Sequence, residues 1–160
     1  MLKPLSEAPV QAYLDNRLQL YDTIEFVLKH TGPAHIAIST FSTSEEFLRR
    51  LFRLRSHGQI LSAVLLTDLK ASKKTLNLYQ FMHNVFDRVH LADNHSKVVL
   101  IHNEHFAFSI ITSQNQTRGN RWESAVISNT PSVYTTLYNQ FNDIVEHKSI
   151  ALDSLLKRAD

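Results

Sequence analysis

The sequence predicts an α/β fold: a mixed central β-sheet flanked by helices on both faces. Three observations predict it. Between residues 35 and 67 an apolar run, an amphipathic segment and a second apolar run follow in turn, the order of a parallel strand–helix–strand crossover. Between 97 and 128 three short apolar runs lie close together, the first two joined by a link of hairpin length. From 131 to 147 apolar residues recur at helical spacing.

Each element has a local reason. Ser6 is placed to cap a helix, and Leu14, Leu18, Tyr21, Ile24 and Leu28 recur at helical spacing, so a helix is expected over 6–30. Thr31-Gly32-Pro33 should end it. His35 to Thr40 reads as a short buried strand. Thr43 followed by Glu46 fits a capping box, and Phe47, Leu48, Leu51, Phe52 and Leu54 continue as an amphipathic helix that Gly58 terminates. Ile60 to Leu66 is a second strand. Leu76 to Phe86 carries a helical apolar stripe, and Arg88 to Leu91 is a short strand. Lys97 to Ile101, Phe106 to Ile111 and Glu123 to Ser128 complete the sheet. Thr130-Pro131 opens a helix in the manner of a cap followed by proline at the first helical position. A short final helix is expected over 150–157.

With 160 residues the chain suits one domain over 1–160, with its core at about 20–147 and the helices 6–30 and 150–157 peripheral. There are no cysteines, which excludes disulfides, zinc–thiolate sites and cysteine catalysis. No run reaches the roughly 18 apolar residues of a membrane span. The first residues are too polar for a secretory signal. The expectation is a cytoplasmic protein with no membrane partner. The net charge of +2 does not by itself announce nucleic acid.

Chemistry concentrates between His95 and Glu123. His95 and Lys97 are two residues apart, as are Ser113 and Asn115, so in extended chain each pair shares a face. Adjacent strands would bring an imidazole, a cation and two hydrogen-bonding groups to one surface, with Glu123 at the start of the next strand. That set suits a phosphate. Arg118 and Arg121, in the loop before Glu123, are candidates for flanking phosphates of a nucleic acid. Arg49, Arg50, Arg53 and Arg55 read as a solvated helix face. A metal site is the rival use of His90, His95, His102 and His105, but His95 and His102 should face opposite ways and no tight ligand spacing is present.

HSKVVLI, then TSQN, then Glu123 resembles the phospholipase D superfamily, in its nuclease-like branch with a single His-x-Lys motif. AISTF, ILSAVLL and RVHLADN resemble the strands that precede the motif in that family, and the resemblance spans about residues 20–147. It implies a phospholipase D-like fold and a catalytic set of His95, Lys97, Ser113, Asn115 and Glu123. It also implies a metal-independent phosphodiesterase, needing no cofactor, that forms a phosphohistidine. A single motif implies a homodimer with the active site at its interface, and the branch implies DNA or RNA as substrate. The sequence departs from the pattern in three ways. His102 stands where Asp is expected, Thr112 stands where Gly is expected, and the His95–Ser113 gap is three residues longer, which places an insertion in the 102–110 hairpin. The Thr112 and His102 departures motivate one alternative, a catalytically weak or inactive nucleic-acid-binding or dimerisation module; a lipid or nucleotide phosphodiesterase of the same chemistry is another.

Overall fold

A computed structural model describes residues 1–71, 77–116 and 119–157. Among them one eight-stranded sheet is built from β1 (Val10–Asp15), β2 (Ala34–Ser39), β3 (Ile60–Asp68), β4 (Arg88–Ala92), β5 (Val98–His102), β6 (Ala107–Thr112), β7 (Glu123–Ser128) and β8 (Ile150–Ala151). The helices are α1 (Leu20–Thr31), α2 (Glu45–Ser56), α3 (Tyr79–Val85), α4 (Pro131–His147) and α5 (Leu152–Lys157). Strand order is β1-β7-β6-β5-β2-β3-β4-β8. The pairs β2–β3 and β3–β4 are parallel and the others antiparallel, so the sheet is mixed as expected.

Alternation along the strands gives the sheet two apolar faces. Ile36, Ile38, Leu65, Leu91, Val99, Ile101, Phe108, Ile110 and Ile127 point to one face. There they pack with Ile24 and Leu28 of α1, Phe47 and Leu51 of α2, Met82 of α3 and Leu152 of α5. Ala37, Leu66, Ala92 and Leu100 point to the other face, under Phe141 and Val145 of α4. α4 covers only this middle part. On the same face Val10 and Leu14 of β1, Val126 of β7 and Ile111 of β6 are exposed, at 53%, 69%, 41% and 42%. Ile111 pairs with Val126 and Val126 with Ala12, so they form a continuous, uncharged strip.

The chain departs from expectation at both ends. The helix expected over 6–30 begins only at Leu20, and residues 10–15 are strand β1, paired along its length with β7. Tyr13 points inward and its hydroxyl meets Thr23 Oγ1 at 3.0 Å. A long-range ladder and this inward contact override a local helical spacing. β1 is thus an integral outer strand rather than a peripheral layer. At the other end Ile150 and Ala151 pair with β4 before α5 starts, and Leu152 is buried in the core. The cap of α2 is Ser44, whose Oγ accepts the Phe47 N–H at 3.3 Å, one residue beyond the expected Thr43. Gly32 and Gly58 take positive φ (73° and 74°) just after α1 and α2, where other residues would be strained. The stripe expected over 76–86 is helical from Tyr79 to Val85, and Leu76 lies outside the described residues.

Candidate active site

The sheet register brings the chemistry-bearing loops to one end. Across that end lie Asp15 of β1, opposite Glu123 of β7, then Thr112 of β6, Val98 of β5, Ser39 of β2, and Asp68 of β3 beside Ala92 of β4. This is the carboxyl end of the three parallel strands, where open α/β sheets place ligands.

The segment carrying His95 is shaped by a crossing. β4 and β5 are separated in the sheet by β3 and β2. The link 93–97 must therefore span three strand spacings, roughly 14 Å, over the ends of the intervening strands. Asn94 fastens it on the way. Its N–H donates to Asp68 Oδ1 at 2.8 Å, and its Nδ2 donates to Ser39 Oγ at 3.0 Å and to the Thr40 carbonyl at 3.1 Å. Asn94 Oδ1 accepts the Ser96 N–H at 3.1 Å. His95, between these anchors, is exposed, and its ring lies 5.2 Å from that of Phe41. Lys97 Nζ donates to the His95 carbonyl at 2.9 Å and lies 3.2 Å from His95 Nδ1. The two side chains expected to project together do so.

The second half follows β6. The Ser113 N–H donates to the Ser124 carbonyl at 3.0 Å, and the Ser124 N–H donates to Ser113 Oγ at 3.0 Å. Ser113 Oγ–H donates to Glu123 Oε2. The Thr112 N–H donates to the Lys97 carbonyl at 3.1 Å, which joins the two halves directly. The loop then alternates: Ser113 is exposed, Gln114 buried, Asn115 half-buried and Gln116 buried. Asn115 Oδ1 is buried without a hydrogen-bond partner among the described residues, so that oxygen is not committed to the scaffold.

Two tethers hold this loop. The Gln116 N–H donates to the Ser42 carbonyl at 3.2 Å and lies 3.3 Å from Thr40 Oγ1, tying it to the segment that presents Phe41 to His95. On the other side Gln114 Nε2 donates to Gln19 Oε1, and Gln19 Nε2 donates to the Gly119 carbonyl, both at 3.1 Å. Gln19 is the residue that opens α1.

The departures from the family pattern have structural readings. Thr112 needs no glycine conformation, since no residue other than glycine has positive φ among those described. Its Oγ1 donates to the Ser124 carbonyl and accepts the Gln114 N–H, both at 3.0 Å, so the side chain builds the turn. His102 lies at the far end of β5, paired with His35, and its Nδ1 meets the Tyr134 hydroxyl at 2.8 Å. The lengthened 102–110 hairpin therefore points away from the site. Burial and the neighbouring His35 push the His102 pKa down. His90 lies on the α4 side, with Nδ1 2.8 Å from Ser149 Oγ. No group of three or more His, Asp or Glu is arranged to hold a metal among the described residues.

Charge around the site is mixed. Arg121 is exposed and has no carboxylate partner among the described residues, and Arg118 lies outside them. Asp15 accepts the backbone N–H groups of Arg17, at 2.6 Å, and Leu18, at 3.0 Å, which hold its carboxyl below the usual range. The exposed Arg17 was not expected from the sequence; it follows the strand whose last residue pairs with Glu123. Arg49, Arg50 and Arg55 pair with Glu45, with Asp22 and Glu25, and with Asp87, as a solvated helix face would.

No helix among the described residues is long and apolar enough to cross a membrane. No family model matches the sequence, and no curated protein matches it. Solved structures do. NucT from Helicobacter pylori superposes with a TM-score of 0.68 at 11% identity, covering 89% of this chain and 98% of that one. Polyphosphate kinase from Porphyromonas gingivalis gives 0.64 at 14%, covering 89% and 28%. Phosphatidylserine synthase from Haemophilus influenzae Rd KW20 gives 0.62 at 11%, covering 89% and 40%. These neighbours are phospholipase D superfamily proteins, and the fold of this chain is phospholipase D-like.

Proposed function

We propose that this chain is a metal-independent phosphodiesterase that cleaves DNA or RNA as a homodimer through a phosphohistidine. The observation that carries the reading is the joining of the His95–Lys97 segment to the Ser113–Asn115–Glu123 segment at one end of the sheet, through the Thr112–Lys97 backbone bond. The likeness to NucT, to polyphosphate kinase and to phosphatidylserine synthase supports it at the level of fold.

The chemistry follows from the residue types. His95 Nε2 attacks phosphorus, a P–N bond forms, and the bond to the leaving nucleoside oxygen breaks. An imidazolium, His95 of a second copy, gives its proton to that oxygen. Water then attacks phosphorus, the same imidazole takes its proton, and the P–N bond breaks. Lys97, Ser113 and Asn115 stabilise charge on the phosphoryl oxygens. With Lys97 donating to His95 Nδ1, a neutral ring carries its proton on Nε2. A bound phosphate draws Lys97 away, Nδ1 takes the proton, and Glu123 accepts it as a hydrogen bond. Nε2 is then free to attack.

The uncovered strip of Val10, Leu14, Ile111 and Val126 supports a two-fold partner, because an uncharged sheet face beside a half-complete site suits a second copy. The test is cleavage of plasmid DNA and of RNA in excess EDTA. Activity should persist, and His95→Ala should lower it roughly 10²- to 10⁴-fold. Equal activity in the variant, or none in the wild type, overturns the reading. DNA binding without cleavage supports a non-catalytic module instead, and turnover of phospholipid alone a lipid enzyme.

A further inference from the structure

Trp122 is the only tryptophan of the chain and is 69% exposed. Tryptophan is usually one of the better-covered side chains, so this exposure beside a candidate site calls for a physical reason. The residue immediately precedes Glu123, which bonds Ser113. Among the described residues no aromatic ring packs on it, whereas ten phenylalanine and tyrosine side chains have ring partners, from Tyr21 to Tyr138. Arg121 precedes it, exposed and without a carboxylate partner among the described residues. The described residues on either side of it are tied down: Gln19 Nε2 donates to the Gly119 carbonyl, and Ser124 is bonded to Ser113 through the Ser113 N–H and the Ser113 Oγ.

We propose that Trp122 is a nucleobase-stacking platform flanking the scissile phosphate, with Arg121 on the adjoining phosphate, so that the site takes nucleic acid whose bases are free to unstack. This rests on the phosphodiesterase reading above and names the form of its substrate. An exposed indole next to a cation offers stacking and phosphate neutralisation together, the combination that holds single strands without reading sequence. A base paired within a duplex presents no free face to an indole at this position. Single-stranded segments are therefore preferred, with little dependence on base identity.

Because Trp122 is the sole tryptophan, its fluorescence reports on the platform directly. The His95→Ala protein is titrated with a single-stranded oligonucleotide, the same strand with abasic sites, its duplex, and anionic phospholipid vesicles. The single strand should quench the emission, and the abasic strand and duplex should quench it far less. Trp122→Ala should weaken single-strand binding roughly 5- to 150-fold, and Trp122→Phe should retain most of it. Equal quenching by the abasic strand overturns the proposal. So does a blue shift with vesicles and none with the oligonucleotide, which marks a lipid surface. Protection of the free protein's emission from iodide also overturns it, since a second copy would then cover the ring. EDTA-resistant cleavage by the wild type, measured alongside, separates the two readings. Cleavage with unaltered fluorescence sinks the platform alone, and neither cleavage nor oligonucleotide binding sinks both.

Discussion

Gln19 and Gln114 meet side chain to side chain at 3.1 Å although 95 residues separate them. Gln19 also holds Gly119, so one buried carboxamide grips both ends of the loop that carries Asn115. Gln19→Met keeps the length of the side chain and removes both bonds. Activity should fall up to about 100-fold through misplacement of Asn115. Combining it with Gln114→Leu should add little, because both variants cut the same tether. In an Asn115→Ala background Gln19→Met should cost almost nothing. Initial rates of the wild type, the three single variants and the two double variants, with melting temperatures as a folding control, check this.

Asn94 fixes the crossing segment to the ends of β2 and β3 with three hydrogen bonds, to Asp68, Ser39 and Thr40, and its Oδ1 accepts a fourth from the Ser96 N–H. Only the backbone bond to Asp68 survives in Asn94→Ala. The variant leaves Ser39 and Thr40 short of a donor, at a cost of about 1–3 kcal/mol. Denaturant unfolding should show that loss, and His95 should lose activity with its neighbour.

Stability should depend on pH through two histidines outside the candidate site. Burial, helped by Arg88, lowers the pKa of His90; burial, helped by His35, lowers that of His102. In the unfolded chain both titrate near about 6.5. Below that value the unfolded chain binds protons first, so stability is complete above it and declines as pH falls towards the folded-state values. Asp15 and Asp87, also lowered, add a loss only below about pH 4. Melting temperature should drop between pH 7.5 and 5. The drop should be smaller in His102→Gln, whose amide can still reach the Tyr134 hydroxyl.

Val126 stands at the centre of the uncovered strip, 41% exposed. Placing a charge there should favour the monomer if this face meets a second copy. Sedimentation of Val126→Lys should show a lower mass at concentrations where the wild type is dimeric. Its specific activity should fall and recover at high protein concentration. An unchanged mass locates the partner elsewhere.

The site was legible where its residues are close in sequence. His95 and Lys97 are two residues apart and their side chains meet, Ser113 and Asn115 are marked by the same spacing, and the strands around them are short apolar runs. β2 to β7 were legible for the same reason. β1 was not. Tyr13 and Leu14 point to opposite faces and both are large, so the segment lacks alternation, and its partner β7 lies more than a hundred residues on. Gln19 was illegible because its meaning exists only after the chain has closed. Asn94 was visible as a neighbour of His95, but its role comes from the crossing over β3 and β2, which depends on strand order. At Thr112 the backbone takes no positive φ, and the hydroxyl supplies two bonds that glycine lacks, a role that depends on the Ser124 and Gln114 backbone closing around it.

The place of β1 has a practical consequence for handling the protein. Trimming the first eighteen residues would strip the outermost rung from the sheet and leave the backbone of Glu123 to Ser128 open along one side. Such an edge recruits strands from other molecules. It would also remove Asp15 from beside Glu123. A shortened protein should therefore scatter light and precipitate before any assay could register a change at the candidate site, and purification tags belong where they leave that strand in its seat.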